Sequence, residues 1–499
     1  MSEQLEIETK YEVDEDTPAP DLSAADGVAR TTVDEVFHLA ATYYDTEVLD
    51  LARHRITLRR RVGGKDDGWH LKLPAGADRR EVSAPLFPDD PTAPAPGDGV
   101  PAELAARVLV YTRGRVLAPV AIVENDRHTT YAWDTEGTLL GELADDHVHT
   151  VSLLDDGVEK AWREWEFEVP DTDAGRVAAR TVDRFLRAAG GRSPHSASKL
   201  ARAIDSDPAP VEPTTVRKPT KAAASELLVA ALAGYRDRLT ANDPLVRARA
   251  DDALHQMRVA TRQLRSALTE FSAYFSGPAP AALSSELRSL ASVLGGVRDA
   301  EVLAERFSAQ AEAEPELAAA VGLLAAEQRR REAAGWSRVD AYLSADRYFA
   351  LLDAVDATIA EPPLAKRAAR PAVSTLAPMI HRRIRGFARD ADDLLAAPDA
   401  TNDDVHAIRK RAKRLRYAAA VAEPVLGKAI RAEIVALAAV QTRLGEFQDA
   451  AIARDAVAEV DLSGVAPATA FQLGRLDAVE ERRAADARAS LPTLLRRLG

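Results

Sequence analysis

One pattern that occurs twice in this chain constrains what its C-terminal part can fold into. A histidine is followed by cations at positions +3, +7 and +10, and the same spacing returns about 150 residues later: His255, Arg258, Arg262 and Arg265, then His406, Arg409, Lys413 and Arg416. At roughly 100° per residue, these positions span an arc of about 80° on an α-helix. Each copy therefore predicts a helix with one basic face.

The recurrence extends beyond the basic helices. About 39 residues after each histidine comes a second matched pair of segments, Leu294–Asp299 and Leu444–Asp449. An internal duplication predicts an all-α bundle of two repeats, at about 218–365 and 366–499. A single basic run usually marks a solvated helix face. Two copies in the same register favour a binding surface for a long anion.

Composition excludes several classes of protein. The chain has no cysteine, so disulfides, thiolate metal sites and cysteine nucleophiles are ruled out. No apolar run approaches the 18 or so residues of a membrane span, and the first residues are acidic. We therefore expect a cytoplasmic protein without a membrane partner. The net charge of −13 argues against a nucleic-acid partner, because such domains normally carry a basic footprint.

The pattern of the chain changes near residue 205. Before it, alternating segments bounded by Gly, Pro or Asp predict strands, and after it long Ala-, Leu- and Arg-rich stretches predict helices. Between them lies a Pro-rich linker at 206–217. We predict a two-domain α+β protein, with a strand-rich domain at 1–205 and a helical domain at 218–499.

Charges in the first domain recur at every second residue, which places them on one face of each strand. Glu6, Glu8 and Lys10 share a face of the first segment, while Ile7 lies on the opposite face. An ordinary antiparallel sheet with one solvated face also alternates. However, several strands carry both signs of charge, and their other faces are strongly apolar. This combination predicts a closed barrel of about eight strands with a charged interior that can hold a ligand.

The interior charges fit phosphate chemistry. Carboxylates provide the oxygen ligands that Mg²⁺ and Mn²⁺ prefer, and Arg and Lys side chains bind phosphate oxygens. Hydrolysis of a phosphoanhydride needs neutralised charge and an oriented water, and little covalent chemistry from the protein.

Both domains resemble known families. The ordered motifs of residues 1–205 resemble the CYTH family, also called triphosphate tunnel metalloenzymes: Glu6-x-Glu8-x-Lys10, Tyr43-Tyr44-Asp45-Thr46, Leu58-Arg59-Arg60-Arg61, Trp69-His70-Leu71-Lys72-Leu73-Pro74, Arg79-x-Glu81, Glu164-x-Glu166-x-Glu168 and Ser198-Lys199. The two His-x-x-Arg helices resemble CHAD, the conserved-histidine α-helical domain.

The CYTH resemblance implies an eight-stranded antiparallel β tunnel, with flanking helices, that hydrolyses a triphosphate-containing substrate with Mg²⁺ or Mn²⁺. The metal-binding carboxylates would be Glu6, Glu8, Glu166 and Glu168, with Glu164 and Asp146 as neighbours. The phosphate-binding cations would be Lys10, Arg59, Arg61, Lys72, Arg79, Arg127 and Lys199. Glu6, Glu8 and Lys10 would form the catalytic set, with Glu6 or Glu8 orienting the attacking water. Arg80, next to Arg79, leaves the register of that strand open by one residue.

The CHAD resemblance implies that the helical domain binds inorganic polyphosphate. The candidate contacts are the eight residues of the two basic helices together with Arg298. Two alternatives stay open. The protein could bind polyphosphate, or associate with polyphosphate granules, without catalysis, or the tunnel could be a CYTH-type adenylyl cyclase. The sequence leaves tripolyphosphate, nucleoside triphosphate and thiamine triphosphate as candidate substrates, and it leaves the oligomeric state open.

Overall fold

The computed structural model describes residues 2–75, 78–86, 99–154, 157–196, 198–205, 216, 221–397 and 401–498. The chain forms two compact units, residues 1–212 and 213–499. The predicted linker at 206–217 lies outside the described residues, except for residue 216. No helix in the described ranges is long and apolar enough to cross a membrane.

The described residues of the first unit form nine strands. They are β1 (Ser2–Val13), β2 (Arg30–Val33), β3 (Phe37–Asp45), β4 (Thr57–Val62), β5 (Gly68–Ala75), β6 (Asp78–Ala84), β7 (Ala118–Trp133), β8 (Leu139–Ser152) and β9 (Glu159–Val169). Eight of them pair antiparallel in the closed order β7–β3–β4–β5–β6–β1–β9–β8, and β8 returns to β7. The short strand β2 pairs with the end of β7, beyond β3. The predicted eight-stranded antiparallel barrel is confirmed.

Strand β1 closes the barrel by changing partners along its length. Residues up to Glu6 pair with β6, and residues from Ile7 onward pair with β9. The β1–β9 register places Glu8 opposite Glu168 and Lys10 opposite Glu166. The acidic residues of two strands that are distant in sequence therefore face each other.

In the described ranges, four α-helices accompany the barrel: α1 (Asp50–Arg53), α2 (Ala102–Thr112), α3 (Asp173–Ala188) and α4 (Lys199–Ala203). Apolar residues on the outer barrel face pack under two of them. Trp165 and Phe167 of β9 lie in one core cluster with Val182 and Leu186 of α3. A second cluster joins β4 and β5 to α2. These outer residues alternate with charged inner ones, so the period-two pattern of the sequence reflects a barrel buried on its outside and charged within.

The second unit is helical. Its helices are α5 (Ala224–Arg247), α6 (Ala253–Glu270), α7 (Ala279–Ala313), α8 (Ala318–Leu343), α9 (Asp346–Ala360), α10 (Ala372–Ala396), α11 (Asn402–Leu426), α12 (Lys428–Ala458) and α13 (Pro467–Leu495). The basic helices α6 and α11 contact each other. Each also packs against its two sequence neighbours, α5 and α7 for α6, and α10 and α12 for α11. The matched pairs Leu287/Leu437, Leu290/Val440 and Leu294/Leu444 are all fully buried.

Candidate functional site

The barrel encloses a cavity of about 570 Å³, which we call the tunnel cavity. Most of the predicted metal-binding and phosphate-binding side chains line it together: Glu6, Glu8, Glu166, Glu168, Lys10, Arg59, Arg61, Lys72, Arg79, Arg127 and Lys199. Asp146 and Glu164 are buried and do not line it. The structure thus brings the predicted carboxylates of β1 and β9 and predicted cations from six elements into one chamber.

Asp146, Glu164 and Glu166 form a buried acidic cluster whose carboxylate oxygens lie within 4.8 Å of one another. The ammonium of Lys199 lies 2.9 Å from Asp146, 2.6 Å from Glu164 and 2.6 Å from Glu166. Arg127 donates two hydrogen bonds to Asp146, at 2.8 and 2.7 Å. Burial raises the pKa of Asp146, but Arg127 and Lys199 outweigh burial and lower it to about 2. Asp146 is therefore held as a carboxylate, and protein cations contact all three members of the cluster.

A second carboxylate set, formed by Glu6, Glu8 and Glu168, has fewer cationic partners among the described residues than the acidic cluster has. Among the described residues, Glu168 makes no ion pair, and burial together with Glu6 raises its pKa to about 8. Burial also raises the pKa of Glu6, whose Oε1 contacts Lys72 while its buried Oε2 has no hydrogen-bond partner in the described ranges. Glu8 lies 3.2 Å from Lys10. An excess of buried carboxylate oxygen fits a divalent cation such as Mg²⁺ or Mn²⁺.

Guanidinium groups line another part of the tunnel cavity. Arg59 donates a hydrogen bond to the hydroxyl of Tyr43 at 3.2 Å, and Arg61 contacts Asp66. The Nε atoms of Arg59 and Arg61 are buried without a hydrogen-bond partner in the part of the chain that the structure describes. Buried donors without a partner cost free energy, so a ligand with oxygen acceptors would satisfy them.

The structure resolves the register of β6. Arg79 lines the tunnel cavity, whereas Arg80 pairs with Glu3 at 2.7 Å and does not line it. Arg79, the candidate phosphate-binding residue, therefore points into the barrel.

The helical unit contains a second cavity, of about 350 Å³, which we call the basic groove. Helices α6, α7, α11 and α12 form it, and seven of the nine predicted contacts line it: His255, Arg258, Arg262, Arg298, His406, Arg409 and Lys413. Arg265 and Arg416 do not line it. Arg416 instead stacks over the ring of Tyr417, 4.8 Å from its centroid.

Positive charge in the basic groove is only partly compensated. Arg258 pairs with Asp299 at 2.9 Å, but Arg262, Arg409 and Lys413 make no ion pair among the described residues. Burial, and then Arg409 and Arg262, lower the pKa of Lys413 to about 7. Crowded cations that lack carboxylate partners favour an anionic ligand.

The duplicated glycines lie beside the duplicated arginines. A Cβ atom on Gly295 would lie 3.5 Å from the Arg258 guanidinium, and one on Gly445 would lie 3.6 Å from that of Arg409. The surroundings of the two histidines differ between the repeats. In the second repeat, His406 Nδ1 lies 2.7 Å from Gln448 Oε1. The first repeat has Arg298 at the position that matches Gln448, and Arg298 pairs with Glu301.

Family models match both parts of the chain. The CYTH domain model matches residues 4–204, and the CHAD domain model matches residues 230–458. The chain belongs to the CYTH–CHAD family. This confirms the resemblance seen in the sequence. CYTH domains are metal-dependent and bind triphosphate-containing molecules, and their fold implies a phosphoryl-transfer or triphosphatase-type enzyme.

Relatives of the CYTH–CHAD chain include uncharacterized protein Rv2226 of Mycobacterium tuberculosis strain H37Rv, which is 37% identical across 99% of this chain and 96% of the relative. Two solved structures are similar. PptA from Streptomyces chartreusis is 19% identical over 55% of this chain and 100% of its own, with a TM-score of 0.47. The CHAD domain from the plant Ricinus communis is 28% identical over 57% of this chain and 96% of its own, with a TM-score of 0.46.

Several residues that line the tunnel cavity were given no site role from the sequence, among them Tyr43, Asp66, Glu81 and Glu142. Strand alternation places Glu81 and Glu142 on the same face as predicted residues of their own strands, and this pattern could have identified them. Asp66 lies in the β4–β5 turn, where no periodicity applies. Glu81 is held by His70, whose Nδ1 lies 2.5 Å from Glu81 Oε1 and whose Nε2 lies 3.0 Å from the Asp66 carbonyl oxygen. Both ring nitrogens therefore face hydrogen-bond acceptors.

In the CHAD domain, sequence reasoning missed Arg306, which also lines the basic groove. Its Nε donates a hydrogen bond of 2.9 Å to Glu480, which is fully buried. Arg306 has no cationic counterpart in the second repeat, where Ala456 lies 150 residues later, so the duplication gave no signal for it.

Proposed function

We propose that the CYTH domain hydrolyses a phosphoanhydride bond of a triphosphate-containing substrate with the help of Mg²⁺ or Mn²⁺. The observation that carries this proposal is the second carboxylate set, which is buried with few cationic partners and lies in the same cavity as guanidinium groups whose Nε donors have no hydrogen-bond partner in the described ranges. Such a chamber can hold a metal ion and a polyanion next to each other.

Glu6, Glu8 and Glu168, with Glu166 beside them, would hold the ion. When bound, the ion would neutralise charge on the transferring phosphoryl group. Asp146 and Glu164 fit a different role from the metal-binding one inferred from the sequence, because they position Lys199 and Arg127. The cations that would bind phosphate oxygens are Arg59, Arg61, Lys72 and Arg79. Lys10 lies between Glu8 and Glu166 and would keep both carboxylates ionised.

Glu6 is the better candidate to orient the attacking water. Its Oε1 contacts Lys72, but its buried Oε2 has no hydrogen-bond partner among the described residues and can accept a hydrogen bond. A carboxylate oxygen can accept a hydrogen bond from water and hold it in line with the leaving group. The protein then supplies position and charge, and no covalent intermediate is needed.

Two matched variants test this proposal. Glu8→Gln should reduce turnover at least about 100-fold while the fold survives, because it removes one charged ligand and opens no cavity. Glu12→Gln makes the same change four residues along β1, at a carboxylate that contacts His195 and Arg202 and does not line the tunnel cavity. It should keep nearly full activity.

The assay should follow phosphate, pyrophosphate and cyclic AMP, with tripolyphosphate, ATP and thiamine triphosphate each supplied with Mg²⁺ or Mn²⁺. Phosphate release that depends on Glu8 supports hydrolysis. Cyclic AMP with pyrophosphate would instead support the adenylyl cyclase alternative. Binding without turnover of any substrate would support a non-catalytic protein.

We further propose that the basic groove binds inorganic polyphosphate. The uncompensated charge of Arg262, Arg409 and Lys413 supports this, because a chain of phosphates could contact both basic helices at once. Arg265 and Arg416 would extend the contact surface only outside the groove. Such binding would lead us to expect a cytoplasmic protein associated with polyphosphate granules.

A further inference from the structure

Four of the ten histidines lie on the outer surface of the barrel, on three adjacent strands: His38 on β3, His128 on β7, and His147 and His149 on β8. His128 alternates with inward-facing residues of β7. Arg127 lines the tunnel cavity, so its neighbours Asp126 and His128 point outward, and both are exposed. This patch has no role in the phosphate chemistry proposed above.

The strand register brings three of the outward side chains together. Asp126 lies directly opposite His147 on β8. His128 lies two residues from Asp126 on the same strand and is therefore the diagonal neighbour of His147. Directly opposite side chains on an antiparallel pair have Cβ atoms about 5 Å apart, and diagonal pairs remain within reach of long side chains. The rings of His128 and His147 have centroids 5.9 Å apart.

We propose that Asp126, His128 and His147 form a binding site for a transition-metal ion of the Zn²⁺ class. Two imidazoles bound to one tetrahedral ion through bonds of about 2.0–2.1 Å would have ring centroids roughly 5 Å apart, close to the observed separation. Two histidines and one carboxylate also form a common set of ligands for divalent transition metals, and imidazole favours Zn²⁺, Co²⁺, Ni²⁺ and Cu²⁺ over Mg²⁺.

Neighbouring groups complete the site. His38 Nδ1 lies 2.5 Å from Asp126 Oδ1, and Glu15 Oε1 lies 3.1 Å from His147 Nδ1. These two contacts engage Asp126 and His147 in the structure. Glu15 offers a fourth ligand. Because Asp126 and His147 face these partners in the structure, metal binding requires them to rotate. Both are accessible enough to do so, with Asp126 side-chain exposure at 56% and His147 at 37%.

The surface site and the tunnel cavity differ in ligand chemistry. The tunnel cavity offers carboxylate oxygens and no imidazole among its lining residues in the described ranges. A nitrogen-sensitive probe therefore distinguishes the two. With full-length protein and excess Mg²⁺, Cu²⁺ at one equivalent should give an electron paramagnetic resonance spectrum with hyperfine coupling to imidazole nitrogen. Isothermal titration should show one Zn²⁺ ion bound.

His147→Ala should weaken Zn²⁺ binding at least 10-fold and remove the nitrogen coupling. His149→Ala is the matched control, since it removes an imidazole from the same face of the same strand, two residues away. It should leave both signals unchanged, as should Glu8→Gln in the tunnel. Equal Zn²⁺ affinity for wild type and His147→Ala, or the same loss in His149→Ala, would overturn the proposal. Because these changes are on the surface, far-ultraviolet circular dichroism should confirm an intact fold.

Discussion

The ammonium nitrogen of Lys199 lies 2.6 Å from Oε1 of Glu164, and this buried contact joins the first residue of α4 to β9. Lys199 also contacts the other two carboxylates of the acidic cluster. One protein cation therefore occupies the position between three carboxylates that a metal ion could otherwise take. The stability of the barrel should depend on it.

Lys199→Met should destabilise the CYTH domain by about 3–5 kcal/mol, because it leaves buried carboxylates without their partner. Urea denaturation measures this loss. Mn²⁺ should raise the unfolding midpoint of the variant more than that of wild type, since the cluster could then bind an ion. Lys160→Met is the control, because Lys160 pairs with the exposed Asp205 and should cost less than about 1 kcal/mol. Equal losses in the two variants would contradict the role of Lys199.

Lys413 should make polyphosphate binding depend on pH. Burial and the neighbouring arginines lower its pKa to about 7, and a bound polyanion would favour the charged form. Binding should therefore take up protons above pH 7, and affinity should fall as pH rises from 7 to 9. Fluorescence titration at constant ionic strength measures this. Lys413→Met should flatten this part of the profile, and an unchanged profile would count against the assignment.

The same group should affect the stability of the protein without polyphosphate. Its pKa is lower in the folded state than the ordinary value of 10.5, so the unfolded chain binds more protons between about pH 7 and 10.5. This contribution to stability should rise with pH across that window, and the cost of the buried charge should be complete below pH 7. Lys413→Met should therefore unfold at a higher temperature than wild type at pH 6. A lower unfolding temperature would contradict this.

Reversing the charge of Arg262 and Lys413 together should weaken polyphosphate binding far more than tripolyphosphate hydrolysis. Each lost phosphate contact should also flatten the slope of log affinity against log salt by roughly 0.7–0.9, if polyphosphate releases counterions as nucleic acids do. A salt titration compares wild type with Arg262→Glu/Lys413→Glu. Lys366→Glu/Lys428→Glu changes the net charge equally at two exposed positions outside the basic groove. Equal slopes for both variants would mean that the groove carries ordinary surface charge.

The two units should function separately. A fragment ending at Asp205 should cleave short phosphates, and one starting at Pro219 should bind long polyphosphate, because each has its own hydrophobic core. Turnover and polyphosphate binding of the purified fragments provide the check. Two fragments that are insoluble or inactive would indicate an integrated protein.

Much of the tunnel could be predicted from the sequence because strand alternation assigns a face to each residue. Glu6, Glu8 and Lys10 face inward as the period-two pattern predicts. Alternation cannot specify which charges touch. The contact of Lys199 with the acidic cluster depends on the β8–β9 register and on the position of α4, and neither is a local property of the sequence.

The basic groove shows the corresponding limit for helices. Three of the four positions of each copy line the groove. The last position of each, Arg265 and Arg416, does not line it, although the helical period includes it in the same arc. A helical period gives the direction of a side chain but not how far along the helix a groove extends. That extent depends on the packing of α7 and α12.

The change of partner in β1 has a consequence for how the protein forms. Glu8 meets Glu168 only when β1 pairs with β9, about 160 residues later in the chain. Contacts between such distant segments form slowly, because the intervening chain must be ordered first. During synthesis, Glu6 and Glu8 leave the ribosome long before β9, the strand that carries Glu166 and Glu168. The residues of β1 and β9 that we propose to hold a metal ion should therefore come together late in folding, and the nascent barrel should gain affinity for divalent ions only as it closes.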